Sequence, residues 1–201
     1  MTASHEGVDD EALQLRGMCW DNAIHTFGTS YVFQRRTRVM KRRLMWVNYV
    51  GVAIPVTVGA IVLTFGVFSS LGVIIAVAGL IALGQVVVNL WAIIGGWVER
   101  HSYSSESAVA NDSLSMRYQD MGRNPPDEIV DLRHEYEKLQ IEDKYRRDRD
   151  MHQDVSESEK RMGMRAALRK MQRSCAGCHK VPTSMRPLDC DVCGNFKYRD
   201  A

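Results

Sequence analysis

The sequence predicts an α-helical membrane protein: a two-span transmembrane hairpin, cytoplasmic helices and a small C-terminal zinc ribbon. Two observations carry that fold class. From Leu44 to Val98 there is no Asp, Glu, Lys, Arg or His, a run of 55 residues where one membrane-spanning helix needs about 20. Four of the five cysteines then fall within the last 27 residues as two CxxC pairs. The averages conceal both features. A chain of 201 residues with net charge +2 and 45% hydrophobic residues has the composition of a soluble domain, yet its apolar residues are concentrated in one block. The small net charge argues against a dedicated nucleic-acid binder, which usually shows a basic excess.

Taken in order, residues 1–9 are polar and are expected to be a disordered N-terminus. Over 10–43, Leu13, Trp20, Ile24, Phe27 and Tyr31 recur at helical spacing, which predicts an amphipathic cytoplasmic helix. It either packs on its neighbours or lies along the membrane surface. Cys19 on this helix reads as an ordinary semi-buried thiol. The hairpin occupies 44–98, with spans at 44–68 and 72–98 divided by Ser69-Ser70-Leu71-Gly72, its only cluster with turn chemistry. A cleaved signal peptide does not fit an apolar run that follows more than 40 polar residues. No lipidation motif is seen. The competing structure is a long buried hairpin of a soluble protein.

Orientation follows from the flanks. Arg35, Arg36, Arg38, Lys41, Arg42 and Arg43 form a basic cluster before the first span, while the loop between spans is uncharged. The positive-inside rule then keeps both termini in the cytoplasm of a multi-pass inner-membrane protein. Trp46 and Tyr49, with Trp91 and Trp97, fit the same interface. Within the second span Ala78, Ala82, Gln85, Asn89, Ala92 and Gly96 make a stripe of small and amide side chains. Such a stripe packs one helix on another, either within the hairpin or as an oligomer seam or pore lining. In the first span Asn48, Pro55, Gly59 and Gly66 lie on roughly one face. No ionisable group is in the membrane block, which excludes a proton relay or voltage sensor.

Charged cytoplasmic helices fill 99–173. Glu99–Met121 is polar and Ser-rich and reads as a continuation of the second span. Gly122-Arg123-Asn124-Pro125-Pro126 breaks it, with Asn124 placed to cap the next helix and the prolines suited to its first turn. Ile129, Leu132, Tyr136 and Leu139 make a short heptad seam that fades at Asp143. Signs are mixed from Asp127 to Arg173, as on a solvated helix; self-association through the seam is the alternative.

The segment 174–201 carries Cys175-Ala176-Gly177-Cys178 and Cys190-Asp191-Val192-Cys193. Each CxxC turn aims two thiolates at one point, and two turns complete a tetrahedron. Cys175, Cys178, Cys190 and Cys193 are therefore the expected ligands of a structural Zn2+. Gly194 permits a tight knuckle, and Pro182 and Pro187 stiffen the intervening loop. So small a segment has almost no apolar core, so the metal would supply its folding free energy. Cys175-Ala176-Gly177-Cys178-His179 also reads as a c-type haem attachment motif, and a redox dithiol or iron in place of zinc are further options. No phosphate-binding glycine loop, His-Glu-x-x-His or nucleophile elbow occurs, and an enzyme is not expected.

This order of elements resembles the SLATT domains, two-transmembrane effectors of bacterial conflict systems, and the tail resembles the mobilome-associated CxxC–CxxC proteins. The resemblance covers about residues 10–121 and 175–193. It implies an antiviral effector that homo-oligomerises in the lipid bilayer and disrupts the inner membrane when a cytoplasmic sensor or signal-producing protein reports infection. In that family the signalling partner is often a nucleotide-second-messenger synthase, and no nucleotide-binding domain is seen in this sequence. The signal would come through a protein partner, nucleic acid or the zinc module. The alternative is a membrane-anchored zinc-ribbon adaptor that recruits a cytoplasmic protein or nucleic acid.

Overall fold

The computed structural model describes residues 3–65 and 71–197, which form the helices α1 (Ala3–Phe65), α2 (Leu71–Ile94), α3 (Trp97–Arg123), α4 (Ile129–Met151) and α5 (Glu157–Met171), followed by a non-helical tail. They group into two compact units, Met1–Arg35 with Ser104–Ala201, and Arg36–Tyr103.

Several boundaries differ from those the sequence predicts. The segment 10–43 and the described part of the first span, 44–65, are one helix rather than two, and it starts at Ala3, inside the stretch expected to be disordered. Nothing between Asp10 and Leu44 breaks a helix: the glycines are isolated and the lone proline of α1, Pro55, lies beyond. The turn at Ser69-Ser70 and the end of the first span, Gly66 included, fall outside the described residues. The second span ends at Ile94 rather than Val98. Gly96 takes φ +60°, a conformation that favours glycine, and the last-turn carbonyls of Trp91 and Ile93 accept from Gly95 and Gly96 at 2.8 and 3.0 Å. The chain restarts as α3 at Trp97, so Glu99–Met121 is a new helix, not a continuation.

The helix after the double proline also begins later. Asn124 does not cap α4; its backbone N–H and side chain bond back to Asp120, at 2.7 and 3.2 Å, and close α3. A residue before proline is disfavoured in the α region, so Pro125 and Pro126 lie between helices and α4 starts after Glu128. The start of α5 carries a legible signal, Ser156-x-x-Glu159. Ser156 accepts from the Glu159 N–H while Glu159 reaches back to the Ser156 N–H, a full capping box.

In the first unit α1, α3 and α4 share a core of Leu15, Cys19, Ala23, Leu114, Tyr118, Leu132, Tyr136 and Leu139. The stripe predicted on α1 is displaced: Ile24 is buried, Leu13 is exposed, and Cys19 is fully buried. The seam of α4 is spent inside the chain on α1 and α3. It runs on through Asp143, which is buried and ion-paired with Arg147 one turn later. The Ser-rich α3 packs closely because its side chains are small. Its Ala108 carbonyl accepts from Ser30 Oγ and its Ser115 Oγ donates to the Ala23 carbonyl, each at 2.8 Å. Ser107 and Asn111 donate to the buried Asp150 carboxylate at 2.8 and 2.7 Å, beside its ion pair with Arg146. At the crossing of α1 and α5 two glycines meet: a Cβ on Gly163 would stand 2.4 Å from the Gly28 carbonyl oxygen.

In the second unit α2 has 24 residues, a length of about 36 Å against about 30 Å of bilayer hydrocarbon. Among the described residues two helices are long and apolar enough to cross a membrane. Along the hairpin, Val47, Gly51, Ile54 and Val58 are half-buried, and on α2 so are Ala78 and Gln85, with Ala92 buried. These recur at steps of three, four or seven, so one narrow seam joins the helices. The remaining surface is large and apolar, with Leu63, Leu80, Ile93 and Ile94 more than two-thirds exposed.

Candidate metal centre

The local chain path brings the four cysteines together. Helix α5 ends at Gln172, which is left-handed (φ 53°), and the Arg173 N–H returns to the Leu168 carbonyl at 3.0 Å. This reversal sends the chain directly into Cys175. In the first knuckle the Gly177 N–H points at Cys175 Sγ (3.4 Å), the His179 N–H bonds the Cys175 carbonyl (2.8 Å), and His179 is left-handed. The Cys175 N–H closes the loop onto Lys180 (3.1 Å). In the second knuckle the Cys190 and Asn195 N–H groups both donate to the Leu188 carbonyl, at 3.0 and 2.8 Å, and Gly194 donates to Cys190 at 2.8 Å. The glycine at 194 is required by space: a Cβ there would lie 1.9 Å from the Leu188 oxygen.

The resulting geometry suits one ion. Cys175 Sγ lies 3.9 Å from Cys190 Sγ, and Cys178 Sγ lies 3.8 Å from Cys193 Sγ. All four sulfurs lie within 4.8 Å of one another. A tetrahedron with metal–sulfur bonds of about 2.3 Å has edges of about 3.8 Å, which these pairs match. They are far too long for disulfides, and the thiols are free. Each close pair joins one knuckle to the other, so the second CxxC completes the site that the first begins. A haem attachment or a single-pair redox dithiol would leave Cys190 and Cys193 without a role. The four cysteines could thus bind a metal ion; a tetrathiolate set accepts zinc or iron.

Electrostatics favour a bound cation. Backbone N–H groups of Cys193 and Val192 lower the Cys190 thiol to about 7, whereas burial pushes the Cys193 thiol well up. Buried thiolates this close repel one another, and a divalent ion at their centre removes that penalty. A second compensation comes from Arg165 on α5, which is 2% exposed. Its Nε donates to the Ser184 carbonyl (2.8 Å), and its Nη1 lies 3.4 Å from the Cys193 carbonyl and 3.8 Å from Cys193 Sγ. One guanidinium therefore holds both the inter-knuckle loop and the second knuckle. The sequence does not single out Arg165, because it sits among other basic residues that stay on the surface.

The tail is not a free-standing ribbon. Among the described residues it has no strand, and its knuckles are docked on helices. Cys175, Cys190 and Cys193 form one apolar cluster with Ile24 of α1 and Ala167 and Leu168 of α5, flanked by Phe27, Met164 and Met171. The expectation that the segment lacks a core holds only for the segment in isolation.

The other predicted site residues lie elsewhere. Ala78, Ala82, Gln85 and Asn89 are on α2, where Gln85 Nε2 donates to the Val47 carbonyl of α1 (2.9 Å) and to Asn89 Oδ1 (3.2 Å). Gly96 is in the turn after α2, off that stripe. Arg35, Arg36, Arg38, Lys41, Arg42 and Arg43 are all on α1, the last four exposed and the first two half-buried.

No curated protein and no solved structure matches the chain. The model of one family does, over residues 16–196: the Mobilome CxxCx(11)CxxC protein. Eleven residues separate Cys178 from Cys190, so the match covers the helices and the site together, and the chain belongs to the Mobilome CxxCx(11)CxxC family.

Proposed function

We propose that this protein is a non-enzymatic membrane effector of a bacterial conflict system. In this reading both termini are cytoplasmic, the lipid bilayer covers the hairpin, and the metal is structural zinc. Copies of the chain oligomerise and disrupt the inner membrane when a cytoplasmic partner signals. The observation that carries the membrane assignment is the exposed apolar surface of the hairpin, which in water would be a severe liability. The resemblance to SLATT effectors supports the conflict role, and the basic cluster supports the orientation. Helix α1 contributes Ile24 and Phe27 to the metal cluster and Leu44–Phe65 to the first candidate span, so one element serves both the signal-receiving module and the membrane.

Induced expression with a membrane-potential dye tests it. Depolarisation is expected, silenced by Cys175→Ser or Cys190→Ser. Gln85→Leu with Asn89→Leu is expected to abolish toxicity while leaving membrane insertion intact. A double variant that kills as well as the parent would refute a pore built on this stripe.

One observation favours the adaptor reading, in which the hairpin is an anchor and the metal module recruits a partner. Gln85 is already bonded to Val47 within its own hairpin, the use expected of a packing amide. Replacing residues 44–98 with an unrelated two-span anchor separates the two: an adaptor keeps its function and a pore-former loses it.

A further inference from the structure

Charge in this chain is segregated far beyond what its net +2 reveals. From Lys160 to Leu188 there are eight Lys and Arg residues and no Asp or Glu. Three of the eight are tied to a carboxylate, a backbone carbonyl or the cysteine site. Lys160 pairs with Glu157, Arg161 donates to the Asn195 carbonyl, and Arg165 is buried at Cys193. The other five, Arg169, Lys170, Arg173, Lys180 and Arg186, are exposed. None of them forms an ion pair with a described carboxylate, whereas Arg117, Arg133, Arg146, Arg147 and Arg149 around α4 all do. A patch of one sign whose cations have no ion-paired carboxylate is the electrostatic footprint of a polyanion site.

Aromatic rings are set among these cations. Trp20, Phe27 and Tyr31 lie on one side of α1 at steps of seven and four. The guanidinium carbons of Arg173 and Arg123 stand 5.1 and 5.6 Å from the Trp20 ring, and Lys170 Nζ stands 4.1 Å from that of Phe27. Beside them Phe27, Tyr31, Arg169, Lys170, Gln172 and Met185 line an open pocket of ≈ 390 Å³. Cations with interleaved rings and guanidinium planes are what single-stranded nucleic acid uses, phosphates on the former and bases on the latter. An amphipathic helix lying in a lipid surface needs an apolar stripe facing outward with the cations. Here the apolar side of α5, Met162, Ala166, Ala167 and Leu168, is buried in the chain.

We propose that this face, formed by the end of α5, the cysteine knuckles and the Trp20–Tyr31 side of α1, binds single-stranded nucleic acid, with one nucleotide in the Phe27/Tyr31 pocket. The inference goes beyond the effector reading and does not rest on it.

The test is fluorescence anisotropy of a labelled single-stranded RNA or DNA oligonucleotide with the full metal-loaded chain in zwitterionic nanodiscs. Binding is expected, weakening about a hundredfold between roughly 50 and 200 mM salt if five phosphates are contacted. Arg169→Glu with Lys170→Glu and Arg173→Glu is expected to weaken it about tenfold or more at unchanged metal content. Lys180→Gln with Arg186→Gln, which touches only loops, is expected to weaken it less and to lower the salt slope by about one unit. No binding at low salt, or equal affinity in both sets of variants, would overturn the proposal. So would capture of phosphatidylglycerol vesicles by a chain that ignores the oligonucleotide.

Discussion

Cys193→Ser is expected to release the metal and lower the melting temperature of the chain by more than about 10 °C. Cys193 is fully buried and is one of four sulfurs that lie within 4.8 Å of one another. A serine oxygen is a poor replacement for a soft thiolate, and three remaining ligands do not close a structural site. In isolated zinc-finger peptides the metal contributes on the order of 10–16 kcal/mol to folding, as much as the whole net stability of a typical domain. The effect extends past the tail because the sulfurs share an apolar cluster with Ile24 of α1 and Leu168 of α5. At about 2–4 °C per kcal/mol for a chain of this size, the loss of even a fraction of that contribution is readily measured. A strong chelator acting on the parent protein is expected to give the same shift, whereas Cys19→Ser leaves the metal in place. Elemental analysis with a thermal melt reads all three. Full metal occupancy in the Cys193 variant would contradict the assignment of that ligand.

Gly163→Ala is expected to destabilise the protein by about 1 kcal/mol, and Gly28→Ala to be nearly neutral, although the two residues face each other. A Cβ at 163 meets the Gly28 carbonyl oxygen at 2.4 Å, the Gly28 carbonyl carbon at 3.0 Å and Val32 Cγ2 at 3.0 Å. Two of those neighbours are backbone of α1 and move only if the helices separate. Overpacking of this kind costs about 1–3 kcal/mol, partly offset by the better helix propensity of alanine, about 1 kcal/mol. At 28 the nearest atoms are 3.1–3.4 Å away, a contact that a small adjustment relieves, so propensity and packing about cancel there. Thermal unfolding followed by helix ellipticity ranks the two. Because Met164 and Leu168 of the same helix lie against the cysteines, Gly163→Ala is also expected to speed metal loss to a chelator.

What was legible in the sequence was whatever is encoded over a few neighbouring residues. The cysteine site follows from spacing, because a CxxC turn fixes two sulfurs locally and only the joining of the two turns is long-range. The uncharged block is equally plain. The rest depended on contacts between distant segments. Gly28 and Gly163 are ordinary isolated glycines until the helices that carry them cross. Arg165 is one of eight cations in a stretch without Asp or Glu, and only its burial at Cys193 distinguishes it. Ser107 and Ser115 read as the polar surface of an exposed helix, yet both are fully buried; their hydroxyls find Asp150 and the Ala23 carbonyl across the interface. The heptad seam of α4 was visible, but periodicity does not say whether its partner is a second copy or the chain's own α1 and α3. Two further local signals are legible: Gly95-Gly96, which ends α2, and Ser156-x-x-Glu159, which starts α5.

The four sulfurs are placed to close one tetrathiolate site docked on helices α1 and α5. X-ray absorption at the metal edge of the full chain, purified under reducing conditions, tests this most directly. Four sulfur neighbours at about 2.3 Å and no nitrogen or oxygen ligand are predicted, with one ion per chain and the pattern lost in Cys193→Ser. A mixed sulfur–nitrogen shell, or a metal-free chain with all four thiols free and an unaltered melt, would contradict it.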